Sequence, residues 1–275
     1  MPASPIDPSL LKLVRQSQPA DVSAGCFLPL PGLSHHSFKI VLPQQILLAR
    51  QQPLDPLPFV DRRREYRVLK KLSAGGVVAR PLGYNRCWLL LSWQVGETLT
   101  SRQFAEYLRP VCHAMANLHH QPLTGYRLSL TALLEKYWQL CQHKTHHWLQ
   151  FWQRLKSQGE PRPLRLVPVH MDIHAGNVLR VSEGCCFIDW EYTADADIAL
   201  DLAVICLNDP MNEAQWIDYY AGISGLVPEQ LARQVARWKP WLKLLMACWY
   251  QLQAEYIASP QMQGQARQYW QNLSF

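Results

Sequence analysis

Strand-like and helix-like segments occupy different parts of this 275-residue chain. Short apolar segments typical of strands come first, at residues 38–42, 46–50 and 87–93. Helical patterns predominate later, at residues 101–119, 130–155, 213–221, 228–255 and 261–273. Strands followed by helices predict an α+β fold. We expect two lobes: a small antiparallel sheet with one helix (residues 61–72) in residues 1–93, and a larger, mainly helical part in residues 94–275.

One strand-like pair interrupts the helical part. Residues 178–181 and 185–189 are apolar and are separated by three residues with the composition of a hairpin turn. An antiparallel pairing centred on Glu183 would put Asn177 directly opposite Asp189, with their Cβ atoms about 5 Å apart. This register is an assumption, because a shift by one residue would separate the two side chains.

The segment that leads into the hairpin carries an acid and an amide at a spacing known from phosphoryl transfer. Asp172 precedes Asn177 by five residues, and Asp189 follows twelve residues later. In kinases, an aspartate at the first position accepts a hydroxyl proton and the asparagine holds Mg²⁺. Mg²⁺ is commonly held by one or two carboxylates together with substrate phosphates. The spacing therefore predicts Asp172 as the catalytic base, with Asn177 and Asp189 as Mg²⁺ ligands.

Glu65 is an acid on the apolar face of the first lobe's helix, which it shares with Leu69 and Leu72. Burying a lone carboxylate is costly, so Glu65 needs a cationic partner. Arg50 ends an apolar strand and is the candidate, since arginine can also bind phosphate in bidentate fashion. In kinases a strand lysine pairs with a helix glutamate and contacts the nucleotide. The alternative is that Glu65 reaches water and Arg50 lies on the surface.

The residues before the first strand offer a weaker candidate for nucleotide binding. Gly32 and Ser34 lie in a turn-like stretch ahead of residues 38–42, where backbone N–H groups could bind phosphates. The stretch has a single glycine and matches neither the GxGxxG nor the Walker pattern. An ordinary turn is the competing interpretation.

Composition indicates a globular protein without a nucleic-acid or membrane partner. Hydrophobic residues make up 48% of the chain and charged residues 17%, as in ordered domains. The formal net charge is +6, and the basic cluster at residues 62–71 is typical of the solvent-facing side of a helix. There is no signal-peptide pattern and no apolar run long enough to span a bilayer. We expect a cytoplasmic protein.

Several motifs also resemble a known group of enzymes. These motifs are residues 170–177, Ile188-Asp189-Trp190-Glu191 and Asp201-Leu202-Ala203, which resemble the aminoglycoside phosphotransferase and choline kinase superfamily. The similarity to the bacterial thiamine kinases within that superfamily is greater still, and it extends through residues 160–166, 189–192, 197–200 and 237–242. The resemblance covers almost the whole chain after about residue 25.

The resemblance implies a two-lobed, protein-kinase-like fold with a nucleotide bound between the lobes. It implies Mg²⁺-dependent transfer of the γ-phosphoryl group of ATP or GTP to the primary hydroxyl group of thiamine. By motif position, His170 and Asp201 would brace the loop that carries Asp172, and Arg50 would contact the phosphates. Arg50 replaces the commoner lysine and the phosphate loop is poor in glycine, which leaves the nucleotide preference open.

Thiamine carries a permanent positive charge, so the implied acceptor pocket should be acidic and aromatic. Trp190, Glu191, Tyr192 and Asp195 follow the metal-binding aspartate and are the candidates for its wall. The competing interpretation places such tryptophans in the core. Choline, ethanolamine or an aminoglycoside is the alternative acceptor.

Two further functional classes fit parts of the same segment. His170, Asp172 and His174 would share one face of a strand, and imidazole and carboxylate groups are common zinc ligands in hydrolases. The zinc interpretation leaves the spacing of Asn177 and Asp189 unexplained. A catalytically inactive binding protein on the kinase fold is the second alternative, and it leaves a complete catalytic set unused.

Overall fold

The structure is a computed structural model that describes residues 6–18, 25–30, 37–55 and 57–273. Within these ranges the strands are β1 (Cys26–Leu30), β2 (Ser37–Val41), β3 (Ile46–Gln51), β4 (Pro81–Tyr84), β5 (Trp88–Ser92), β6 (Glu97–Thr98), β7 (Leu166–Val169), β8 (Val178–Val181), β9 (Gly184–Phe187) and β10 (Ala194–Asp197). The helices are α1 (Pro8–Ser17), α2 (Arg62–Leu72), α3 (Ser101–Glu106), α4 (Leu108–His119), α5 (Leu130–Leu140), α6 (His146–Gln158), α7 (Ala199–Asn208), α8 (Glu213–Ser224), α9 (Pro228–Ile257) and α10 (Pro260–Gln271).

The first lobe is built on a five-stranded antiparallel sheet in the order β1-β2-β3-β5-β4. Helix α2 packs against β4 and β5. It begins after Asp61, whose carboxylate accepts the backbone N–H groups of Arg63 (2.8 Å) and Arg64 (3.1 Å), as an N-cap residue does. The structure confirms the three predicted strands and this helix to within one residue at each end.

Three elements of this lobe were not predicted: α1, β1 and β4. Helix α1 buries Leu10, Leu13 and Val14 in a second core that also contains Trp88 of β5. It follows Asp7 directly and has proline at its first position, where proline is tolerated because that N–H has no helical partner. Strand β4 was not predicted because its proline and glycine are typical of turns.

The second lobe is mainly helical, as predicted, but two of the expected long helices are divided. Residues 101–119 form α3 and α4, which meet at Tyr107, and residues 130–155 span α5 and α6. Helix α7 was missed because residues 199–206 are all buried. A helix that is apolar on every side has no amphipathic period to detect.

Two small antiparallel sheets flank residues 170–177 in the second lobe: β7 pairs with β10, and β8 pairs with β6 and β9. Gly96 leads into β6 and lies very close to the backbone of β8. A Cβ atom at residue 96 would be 2.6 Å from the carbonyl oxygen of Arg180. The division of the chain at residue 93 stays a prediction. Across the described ranges, no helix is both long enough and apolar enough to cross a bilayer.

Candidate active site

Asp201, in the first turn of α7, anchors the turn that follows β7. Its carboxylate accepts the backbone N–H groups of His170 at 2.9 Å and Met171 at 2.7 Å. His119 Nε2 lies 3.1 Å from the same carboxylate, and all three partners are buried. Met171 has a φ of 72°, so these bonds hold the chain in a left-handed conformation that side chains disfavour. A side chain that braces this turn must bind its backbone, and Asp201 makes these contacts.

His170 connects this turn to the end of the hairpin. Its Nε2 donates a hydrogen bond to the carbonyl oxygen of Ile188 at 2.9 Å, so Nε2 carries the proton. Nδ1 is then free to accept the backbone N–H of Asp172 at 3.3 Å. Burial lowers the pKa of His170, which favours the neutral ring that this arrangement needs. His170 therefore positions the backbone on both sides of the site.

Two neighbours orient the carboxylate of Asp172. Asn177 Nδ2 donates to Asp172 Oδ2 at 2.8 Å and to its carbonyl oxygen at 3.0 Å. His174 Nε2 lies 3.7 Å from the same Oδ2. Burial opposes protonation of His174, but its interaction with Asp172 outweighs burial and raises the pKa of the imidazole. The Asp172 side chain is 37% exposed, so it is oriented while remaining accessible.

The hairpin pairs one residue away from the predicted register. Val178 pairs with Phe187, and the turn has two residues, the commonest length because its twist matches that of the strands. Asn177 therefore lies opposite Ile188, whose N–H donates to the Asn177 carbonyl oxygen at 3.0 Å. The predicted direct pairing of Asn177 with Asp189 is wrong. Asp189 instead has a φ of 66°, and it is this left-handed residue that turns the chain after the strand.

Arg50 on β3 points its guanidinium at three carboxylates. Nη1 donates to Glu65 at 2.8 Å, and Nη2 donates to Asp189 at 2.5 Å and to Glu191 at 2.8 Å. Arg50 and Glu65 are both buried. The predicted Arg50–Glu65 pair is confirmed, and the role of Arg50 in phosphate binding stays a prediction.

Arg62 is a second buried arginine in this cluster, and no sequence pattern singled it out. Its Nη1 donates to Glu65 at 2.6 Å and to Glu191 at 3.0 Å, and its Nε donates to the carbonyl oxygen of Gln51 at 3.0 Å. It begins the basic run that we assigned to the solvent-facing side of the helix. The sequence did contain a signal for this contact. Arg62 lies three residues before Glu65, and residues at that spacing are neighbours on a helix.

The cluster distributes its charges unevenly. Burial and then the neighbouring Asp189 carboxylate raise the pKa of Glu191 to about 7, despite both arginines. Burial would also raise the pKa of Asp189, but Arg50 and then Arg62 outweigh it and lower the value. The Asp189 side chain is 38% exposed and lines a cavity, so its ionised carboxylate is accessible from that cavity.

Helix α2 is also tied to the second lobe through backbone carbonyl groups. Arg64 donates to the carbonyl oxygens of Thr193, at 2.6 Å, and of Glu191. Together with Arg50 and Arg62, it joins the first lobe to the segment that follows the hairpin. These bonds fix α2 against the site.

A cavity of about 410 Å³ adjoins this segment, within the usual range of about 300–1,000 Å³ for ligand pockets. Its polar wall consists of Asp172, His174, Asn177, Asp189, Glu191 and Asn208. Its aromatic wall consists of Phe59, Tyr137, Tyr192, Trp249, Tyr250 and Tyr269. The structure therefore brings the three predicted catalytic and metal-binding residues to one cavity.

The aromatic side chains of α9 and α10 contact one another. Tyr250 and Tyr269 stack with ring centroids 4.3 Å apart, and Trp249 meets Tyr250 edge-on at 4.8 Å. Trp249 Nε1 donates to the hydroxyl group of Tyr192 at 2.9 Å. Trp249, Tyr250 and Tyr269 were not predicted, because aromatic residues on an amphipathic helix are more often part of a core.

Trp190 and Asp195 lie outside the cavity wall, contrary to our prediction. Trp190 is buried and packs on His170, with ring centroids 4.7 Å apart. Asp195 accepts the backbone N–H groups of Thr124 and Gly125, each at 2.7 Å. Trp190 fills the core behind residues 170–177, which form the proposed catalytic turn, and Asp195 stabilises a neighbouring loop. Of the four pocket candidates, Glu191 and Tyr192 lie on the wall.

The residues of the alternative zinc cluster do not converge. His170 uses both ring nitrogens in hydrogen bonds to the backbone, whereas Asp172 and His174 face the cavity. Within the part of the chain that the structure describes, no group of three His, Cys, Asp or Glu side chains could hold a metal ion. The zinc-hydrolase interpretation is therefore not supported.

Comparison with known proteins identifies the family. A sequence model described as the phosphotransferase enzyme family (APH) matches residues 28–246. The chain belongs to this phosphotransferase family. Two curated relatives are the thiamine kinases of Shigella sonnei (strain Ss046) and Escherichia coli O157:H7. Each is 38% identical over 245 residues, which is 88% of this chain and 88% of the relative.

Solved structures of low sequence identity share this fold. The Plasmodium vivax ethanolamine kinase has a TM-score of 0.75 at 17% identity, covering 90% of this chain and 82% of its own. LicA in complex with AMP has a TM-score of 0.72 at 15% identity, covering 90% of each chain. These similarities confirm the predicted two-lobed, kinase-like fold.

In this phosphotransferase, the oxygen atoms on the cavity wall fit a Mg²⁺ ion. Asn177 uses its Nδ2 for Asp172, which leaves the amide oxygen for a cation. Asp189 gives one carboxylate oxygen to Arg50 and retains the other. Two oxygen ligands leave room for the waters and phosphates that Mg²⁺ prefers. Gly32 and Ser34 lie outside the described residues, so their part in nucleotide binding stays a prediction.

Proposed function

We propose that this phosphotransferase transfers the γ-phosphoryl group of a nucleoside triphosphate to the primary hydroxyl group of thiamine, which gives thiamine monophosphate. The observation that carries the proposal is the mixed wall of the cavity, where Asp172, Asn177 and Asp189 adjoin a set of aromatic rings. The oxygen groups suit a metal–phosphate complex, and the rings suit an organic cation. The 38% identity to thiamine kinases supports the same acceptor.

Asp172 is the proposed catalytic base. It accepts a hydrogen bond from the acceptor's hydroxyl group and takes the proton as the new O–P bond forms. The bond between the γ-phosphorus and the β–γ bridging oxygen breaks, and the nucleoside diphosphate leaves. Asn177 holds the carboxylate in place at 2.8 Å, so little reorganisation is needed. Phosphoryl transfer depends on in-line positioning and on charge neutralisation more than on covalent help from the protein.

Asn177 and Asp189 are the proposed ligands of Mg²⁺. When bound, the ion neutralises charge that develops on the phosphate oxygens. Arg50 contributes a second positive charge, and Glu65 holds its guanidinium in a fixed direction. ATP or GTP is the proposed donor.

The aromatic wall accounts for the preference for a cationic acceptor. Cation–π contacts contribute about 0.5–2 kcal/mol each, and Trp249 is the ring type that gives the strongest. Glu191 adds a carboxylate on the same wall. Thiamine, with its permanent charge and two flat rings, uses both features.

A coupled assay of nucleotide consumption tests this function. We expect turnover that depends on thiamine and Mg²⁺ and is lost in Asp172→Ala and Asp189→Ala. Asp218→Ala, an exposed change on α8, is the matched control and should retain activity. Choline, ethanolamine and an aminoglycoside are compared as acceptors. Consumption of one of these alcohols, with thiamine inert, would refute the thiamine assignment.

A further inference from the structure

We infer that Phe59 determines acceptor specificity by stacking on the pyrimidine ring of thiamine. This inference rests on the proposed function and names the part of the acceptor that the first lobe binds. Phe59 belongs to the loop between β3 and α2, whereas every other described residue of the cavity wall lies between residues 128 and 269. Within the described part of the first lobe, this one ring reaches the acceptor cavity.

The backbone at Phe59 adopts a conformation that bulky side chains disfavour. The N–H of Val60 donates to the carbonyl oxygen of Leu57 at 3.2 Å, which closes a four-residue turn with Pro58 in second place. Phe59, in third place, has a φ of 71°. A turn with proline second and a positive φ third normally carries glycine or asparagine there. A bulky ring at such a position is a strained choice that points to a role for the side chain.

Arg64 holds this ring in place. Its guanidinium carbon lies 3.8 Å from the centroid of the Phe59 ring, and its Nη2 donates to the Phe59 carbonyl oxygen at 2.9 Å. The same guanidinium binds the carbonyl oxygen of Thr193 at 2.6 Å in the second lobe. The ring is thus fixed relative to both lobes before any acceptor binds.

The positive charge behind the ring decides which part of thiamine it contacts. A guanidinium stacked on Phe59 repels a thiazolium placed against the same ring, but it does not repel the uncharged aminopyrimidine. The pyrimidine therefore stacks on Phe59. The thiazolium is left to the tryptophan and tyrosines of the second lobe, close to the Glu191 carboxylate. Choline has no flat ring, so it cannot stack on Phe59 and its affinity is not increased by this residue.

The test compares thiamine with a thiazolium alcohol in which a methyl group replaces the pyrimidine arm. Phe59→Gly relieves the positive φ, which offsets part of the packing lost with the ring, so we expect a folded protein with a cooperative melting transition. We expect kcat/KM for thiamine to fall about five- to 150-fold, the range for loss of one aromatic stacking contact. The value for the thiazolium alcohol should stay unchanged, and Phe59→Tyr should retain thiamine turnover.

Ala258→Gly is the matched control. Ala258 also has a positive φ (51°), at the end of α9, and it is exposed away from the cavity. This change should leave both acceptors unaffected. If Phe59→Gly lowers kcat/KM for both acceptors by the same factor, or for neither, the pyrimidine contact is refuted while thiamine kinase activity stands. If the unchanged protein does not phosphorylate thiamine, the proposed function itself fails.

Discussion

The catalytic turn and the acceptor cavity adjoin each other, but they are assembled in different ways. The proposed catalytic turn and the hairpin after it take most of their polar groups from residues 170–189, and hydrogen bonds fix these groups before substrate binds. The aromatic wall of the cavity comes from α5, α9, α10 and two loops, and its members are held mainly by packing. The difference separates chemistry, which demands fixed atoms, from recognition, which demands a shaped surface.

That contrast has a consequence for variants. A change in the catalytic turn should lower kcat with little effect on acceptor binding, because the turn acts on the reacting atoms. A change in the aromatic wall should raise the KM for the acceptor and leave kcat nearly unchanged. Variants that mix the two patterns would show that the regions are not independent.

Asp172→Asn should have the largest effect on turnover. The amide keeps the size of the side chain but cannot take the hydroxyl proton, so kcat should fall about 10²–10⁴-fold. Steady-state kinetics with thiamine would measure this, and the KM should change little. Asp218→Asn on α8 serves as the control. A large rise in KM with kcat preserved would mean that Asp172 binds the acceptor rather than activating it.

Arg50→Ala should be the most destabilising change. It leaves Glu65 and Glu191 buried with fewer cationic partners, and breaking a buried ion pair costs about 3–5 kcal/mol. Denaturant unfolding would measure the free energy, and turnover should fall together with it. Arg63→Ala, an exposed change on α2, should be nearly neutral. Unchanged stability in Arg50→Ala would show that Arg62 alone holds the cluster.

The same contrast explains which parts of the site could be predicted from the sequence. Asp172, Asn177 and Asp189 lie within eighteen residues, so their spacing reports their proximity directly. The Arg50–Glu65 pair could also be predicted from the sequence, because an acid on an apolar helix face requires a nearby cation. Both inferences depend on local geometry and on the cost of burying charge.

The aromatic wall could not be predicted in this way. Trp249 and Tyr269 lie on helices where aromatic side chains also form core, and periodicity does not separate a core face from a cavity face. Trp190 shows the opposite error, since its place beside the proposed metal ligand Asp189 suggested a pocket position, whereas its ring fills the core. The role of Phe59 could be inferred only from the turn conformation, because a positive φ at a bulky residue is not visible in the sequence. These assignments depend on tertiary packing.

Trp249→Leu should act on recognition alone. Loss of a cation–π contact worth about 0.5–2 kcal/mol should raise the KM for thiamine about 2- to 30-fold with kcat nearly unchanged. An uncharged thiazole alcohol provides the ligand control, since its KM should rise much less. Equal rises for charged and uncharged acceptors would indicate a loss of cavity shape instead of a loss of charge recognition.

Asp195→Asn should have the smallest effect on catalysis and tests the limit of the cavity. The carboxylate accepts Thr124 and Gly125 N–H groups at 2.7 Å each, and an amide would turn a donor toward one of them. One unmatched buried N–H costs about 1–3 kcal/mol, so the melting temperature should fall. The KM for thiamine should stay unchanged, because Asp195 lies outside the cavity wall. A raised KM in a protein that folds normally would place Asp195 in the acceptor pocket, as its position after the proposed metal-binding aspartate first suggested.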